Sequence, residues 1–145
     1  MEIFSIGFTK KTAQQFFGSL KQAGVRRLVD VRLNNISQLA GFAKKQDLPF
    51  FLKELCEAEY VHEPLLAPTQ EMLDRYKKHK GGWAEYEKRF LALMAERKID
   101  RTLSRSQFKI PSALLCSELS PNQCHRRLVL EHLREKWGGI KIAHL

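Results

Sequence analysis

Two periods of apolar and polar positions alternate along the chain. Ile3 to Ile6 is a short apolar run closed by Gly7 and reads as a strand. A helix follows, opened by Thr12 and Gln15 at capping-box spacing, with Ala13, Phe16, Phe17, Leu20 and Ala23 on one face. Gly24 supplies a left-handed stop. Arg27 to Arg32 is a second strand, whose Leu28, Val29 and Val31 give the apolar character of a buried parallel strand. Asp47 is placed as a helix N-cap, followed by Leu48, Phe51, Leu52 and Leu55 on one face. A third strand, Glu59 to His62, ends at Pro64.

Met72, Leu73 and Tyr76 mark a short helix stopped at Gly81-Gly82, and Trp83 to Arg97 carries a longer one. A basic loop from about Asp100 to Lys109 leads to a fourth strand, Ser112 to Cys116. The last helix is expected to start near Pro121, with Ser120 and Gln123 as its capping box, and a fifth strand runs from Ile140 to Leu145. Strands alternating with helices predict a three-layer α/β fold, a mostly parallel sheet of about five strands with helices on both faces. Without internal repeats or low-complexity stretches, residues 1–145 are expected to form a single α/β domain.

Composition narrows the class. Apolar residues make up 43% and charged residues 28%, which excludes disorder. No apolar run is long enough to cross a membrane, so no membrane association is expected. The start Met1-Glu2-Ile3-Phe4 lacks the basic flank of a signal peptide, which makes the cytoplasm the expected compartment. There Cys56, Cys116 and Cys124 are expected as thiols. The formal charge of +9 favours anionic partners, a small molecule or nucleic acid. Its densest patches, Arg75 to Lys80 and Arg97 to Lys109, are short and interrupted, as on a solvated surface. The oligomeric state is not legible.

In open α/β sheets ligands bind at the carboxyl ends of the strands, and four of the five strands end there in reactive groups. These are Asp30 and Arg32, His62-Glu63, Cys116-Ser117-Glu118, and His144. Cys124, His125 and Arg126 stand at the beginning of the last helix, where free N–H groups attract anions and lower a thiol's pKa. On that ground Cys124 is expected to be the more exposed and more reactive cysteine. An ideal helix, however, turns Cys124 and Arg126 far apart, so both serve one site only if the helix begins later.

Taken together, Ile6-Gly7, Leu28-Val29-Asp30-Val31-Arg32, Gly41-Phe42 and Tyr60-Val61-His62 form an ordered set. Leu114-Leu115-Cys116-Ser117-Glu118, Cys124-His125-Arg126-Arg127 and Ala143-His144-Leu145 complete it. The whole resembles the domain of unknown function 488 family over essentially the full chain. The resemblance implies a compact bacterial or archaeal α/β protein and brings no settled activity. Where the family often places a proline after Asp-Val-Arg, this chain has Leu33-Asn34-Asn35.

Two functions follow from these residues. The first is an enzyme on an anionic substrate, with Cys116, Glu118, Cys124 and His125 as catalytic candidates and Asp30, Arg32, Arg126 and His144 binding substrate. The second is a nucleic-acid-binding or interaction module, in which this cluster is a structural network and Arg75 to Lys80, with Trp83 and Tyr86, makes the contacts. Cys116 is then a buried small hydrophobe, and Asp30 and Arg32 a structural pair with Glu118 and Arg126. An open cleft beside Arg126 separates the two in favour of the enzyme. Cys116, Glu118, Cys124 and His125 have metal-ligand chemistry, but their spacing fits no standard motif, so no metal is expected. There is no Gly-x-Gly-x-x-Gly and no Walker-type loop, and no cofactor is expected.

Overall fold

Burial along each strand decides where it sits in the sheet. In the computed structural model, which describes residues 1–34, 41–44, 46–78, 82–117 and 123–145, β4 (Ser112–Cys116) is buried at every position. It lies in the centre, parallel to β1 (Glu2–Gly7) on one side and β2 (Arg27–Asp30) on the other. The strands β3 (Glu59–His62) and β5 (Lys141–His144) have only exposed and half-buried positions and form the two edges. The order is β3-β2-β4-β1-β5, all parallel.

Each strand presents alternate residues to two apolar layers. On one side Ile6, Leu28, Ala113 and Leu115 pack under α1 (Ala13–Gln22) and α2 (Leu48–Cys56). On the other, Ile3, Val29, Leu114 and Cys116 pack under α4 (Gly82–Glu96), α5 (Ile99–Thr102) and α6 (His125–Trp137). The short α3 (Gln70–Lys77) joins this side through Met72 and leans on α4. A three-layer α/β fold results, as the alternation of patterns predicts.

The capping box of α1 is present in both directions, and Gly24 follows its C-cap at φ +75°. Other expectations change. Asp47 precedes α2 without a side-chain capping bond, and Leu55 is exposed while Cys56 turns inward. Gly82 opens α4 at φ +66°, while Gly81 lies outside the described residues. The expected loop from Asp100 to Lys109 holds most of α5 and a 3-10 turn, Arg105–Phe108. Ile99, Leu103 and Phe108 are buried there, and tertiary packing rather than helical periodicity orders the segment.

The last helix begins at His125, later than Pro121. Ser120 and Pro121 lie outside the described residues, and Cys124 is the extended N-cap at φ −138° and ψ 138°. No helix among the described residues is long and apolar enough to cross a membrane.

Candidate functional site

The chain leaves β2 towards α2 on one face and leaves β4 towards α6 on the other. Neighbouring strands whose connections part in this way leave a crevice at their carboxyl ends. A cavity of about 470 Å³ opens there. Arg32, Asn34 and Ser117 line its sheet side, Tyr76, Lys77, Trp83 and Tyr86 its helical wall, and Cys116, Cys124 and His125 its chemistry. A second cavity, of about 270 Å³ beside β3, carries neither thiol nor imidazole.

Cys116 is the last residue of β4 and points into the α6 layer. Its Sγ lies 3.7 Å from Nδ1 of His125, the first residue of α6. On the other side of that ring, Nε2 lies 2.7 Å from the carbonyl of Val31. A carbonyl only accepts, so Nε2 carries the proton and Nδ1 faces the thiol as a base. Burial lowers the pKa of His125, but charge on Cys116 and the bonds to Cys116 and Val31 outweigh it and leave the pKa raised.

The second thiol behaves otherwise than its sequence position suggests. Cys124 is 2% exposed, and its hydrogen bond to Cys116, then burial, hold its pKa above the usual thiol range against the pull of Arg126. The expected exposed, activated cysteine is therefore corrected to a buried, protonated one. The physical reason is the late helix start. As an extended N-cap, Cys124 turns its sulfur towards the sheet, where Cys116 is its neighbour. The same late start lets Arg126 serve the region, with Nη1 3.6 Å from Cys124 Sγ.

Arg126 is wholly buried and does not line the cavity, so the cleft opens beside Cys116 and His125 and not, as expected for an enzyme, beside Arg126. Its Nε donates to Ser5 Oγ at 3.1 Å, and Ser5 is hydrogen-bonded to Nδ1 of His144. His144 is thus tied to the β1–β5 side of the sheet and does not line the cavity. Burial and then the charge of Arg126 hold its pKa below the ordinary histidine range.

Asp30 faces the α1–α2 layer and is wholly buried. It accepts from Arg32 Nε at 2.9 Å and Nη2 at 2.7 Å, and from the Tyr60 hydroxyl at 2.6 Å. Arg32 Nη2 also donates to the Ala43 carbonyl at 2.7 Å, and the guanidinium stands over the ring of Phe8. Its Nη1 is buried and has no hydrogen-bond partner among the described residues. Of the residues expected at one site, Arg32, Cys116, Cys124 and His125 line the cavity, Asp30 stands behind Arg32, Arg126 and His144 do not line it, and Glu118 lies outside the described residues.

Sequence reasoning passed over Ser5, Tyr60 and the Val31 carbonyl. A polar Ser5 inside the apolar run Ile3 to Ile6 was the available signal for the first. The aromatic residues beside the basic stretch are partly taken up by the fold: Tyr86 is buried, and Trp83, half-buried, stacks on it at 5.1 Å and lines the cavity. Arg75 pairs with Glu85, and His79 and Lys80 lie outside the described residues.

A family model described as a domain of unknown function, DUF488, matches residues 12–133. No curated protein and no solved structure matches the chain.

Proposed function

Because the chain belongs to the DUF488 family, whose description carries no activity, we propose a function from the site: an enzyme in which Cys116, paired with His125, attacks an anionic substrate. The observation that carries this reading is the Cys116–His125 pair, set by the Val31 carbonyl and opening on the 470 Å³ cavity. A nucleophile within reach of a base that a third group orients is the arrangement covalent catalysis requires. The thiol proton passes to Nδ1 as sulfur bonds to an electrophilic carbon of the substrate. The displaced group departs with that proton, and water then cleaves the thioester-like intermediate with His125 as base.

Arg32 and Lys77 supply positive charge at the cavity, and the first turn of α6 adds its N–H groups. A buried donor without a partner costs about 1–3 kcal/mol, so the Nη1 of Arg32, which has no partner among the described residues, favours an acceptor-rich ligand. Asp30 holds Arg32 in place.

Alkylation of the folded chain with iodoacetamide at neutral pH, followed by site-resolved mass spectrometry, tests the reading. Cys116 is expected to react first, ahead of Cys124 and of Cys56, whose pKa burial raises. Loss of the base in His125→Ala should slow Cys116 about tenfold or more, and phosphate or a nucleotide should protect it. A Cys116 that stays inert while Cys56 reacts would overturn the proposal.

A further inference from the structure

Cys116, Cys124 and His125 bring two sulfurs and one imidazole nitrogen within 4.8 Å of one another. We propose that these three residues hold a thiophilic divalent ion of the zinc class, with its fourth position open to the cavity.

Five features support the assignment. Two thiolates and one imidazole are the donor set that soft and borderline ions prefer over magnesium or calcium. The spacing also fits. Zinc lies about 2.3 Å from sulfur and 2.0–2.1 Å from nitrogen, so a tetrahedral site separates S and N by roughly 3.6 Å. Cys116 Sγ and His125 Nδ1 stand 3.7 Å apart.

The bond from His125 Nε2 to the Val31 carbonyl leaves the Nδ1 lone pair directed at the sulfurs, as an outer-shell partner does for a ligating histidine. Arg126 Nη1, 3.6 Å from Cys124 Sγ, is placed to stabilise that sulfur once deprotonated. Three protein ligands beside an open volume are the pattern of a catalytic rather than a closed structural zinc site.

Sequence spacing hides this site because one ligand ends a strand while the other two are adjacent residues, an extended N-cap and the first helical residue. Binding is balanced by loss of the two thiol protons to solvent, while His125 contributes its lone pair. The site shares its atoms with the proposed nucleophile and in this respect rests on that reading. A Cys116 sulfur bound to metal is not free to attack, so metal occupancy regulates thiol chemistry.

The chelator-treated chain is titrated with cobalt(II) as the spectroscopic probe. One equivalent should give the intense visible absorption of a four-coordinate ion with sulfur ligands, and zinc should abolish it by displacement. Cys124→Ser and His125→Ala should each weaken binding about a hundredfold, at least as much as loss of an outer-shell partner does. Cys56→Ser, on the opposite face of the sheet, should leave binding unchanged. Circular dichroism confirms that the variants are folded, and the wild-type titration decides the question even if one is not.

Absence of the absorption, or unchanged affinity in folded Cys124→Ser, overturns the inference. Alkylation of Cys116 is followed in parallel, in chelator and with one equivalent of zinc. Fast alkylation in chelator without cobalt uptake removes the metal site and leaves Cys116 as nucleophile. Cobalt uptake with Cys116 inert after chelation supports the metal site and removes the nucleophile.

Discussion

At the scale of single residues, charge is buried only where a partner is fixed beside it. Asp30 has no exposure, and Arg32 and Tyr60 both bind it. Breaking such a pair leaves a charge without compensation. Asp30→Ala should therefore lower the unfolding free energy by about 3–5 kcal/mol, as read from urea denaturation. Tyr60→Phe removes one charge-assisted bond and should cost about 1.5–3 kcal/mol. Equal losses in the two variants would contradict this assignment.

His144 gives a pH-dependent case. Its folded pKa is depressed by burial and by Arg126, with Arg127 acting in the same sense and Glu131 against. The unfolded chain then binds a proton more readily. The contribution is present above the ordinary histidine pKa and is lost as pH falls through the folded value. His144→Gln should flatten the decline of stability in that window, and denaturation at stepped pH checks it. A variant with the wild-type slope would count against the depressed pKa.

At the scale of elements, two ties set where helices start and how they dock. Thr12 accepts from the Gln15 backbone N–H while the Gln15 side chain accepts from Thr12, which closes the N-terminus of α1. Thr12→Ala should cost about 1 kcal/mol, and Thr12→Ser much less, in the same denaturation measurement. Arg97, just beyond α4, donates through Nη1 to the carbonyls of Leu65 and Ala67, each at 2.7 Å. Arg97→Ala should raise amide hydrogen exchange around residues 64–67 before it changes global stability. The start of α6 illustrates why local signals mislead. Helical residues two apart diverge by about 200°. Cys124 reaches Cys116 and Arg126 reaches Ser5, and so Cys124 stands outside the helix.

At the scale of the molecule, the formal charge of +9 gives long-range attraction to polyanions without making a specific interface. Arg105 binds the Trp137 carbonyl and Arg97 the chain before α3, so parts of the basic stretch act as internal ties. A labelled oligonucleotide should show only weak attraction that falls steeply with salt. Lys77→Glu with Lys78→Glu should reduce it uniformly across base sequences, and Trp83→Ala should not change it, because that ring is stacked on Tyr86. Salt-resistant binding that depends on Trp83 would favour the nucleic-acid module over the enzyme.

By itself the sequence determined the succession of the five strands and the longer helices, and the α/β class with a parallel sheet and helices on both faces, but not α5. Periods of two and 3.6 residues and the caps of α1 are local, and local spacing survives in the primary structure. It also marked Arg32 and Cys116 as candidates, because strand ends collect at one edge of such a sheet, and Cys124 and His125, because they stand where the last helix starts. Only tertiary structure decided which of them meet. Strand order, hidden in the connections, placed β4 between β1 and β2 and so set Cys116 beside the Val31–Arg32 turn. Side-chain alternation sent Asp30 to one face and Cys116 to the other. The raised pKa of Cys124 comes from its hydrogen bond to the neighbouring thiol and from burial, which belong to the fold and leave no trace in sequence spacing.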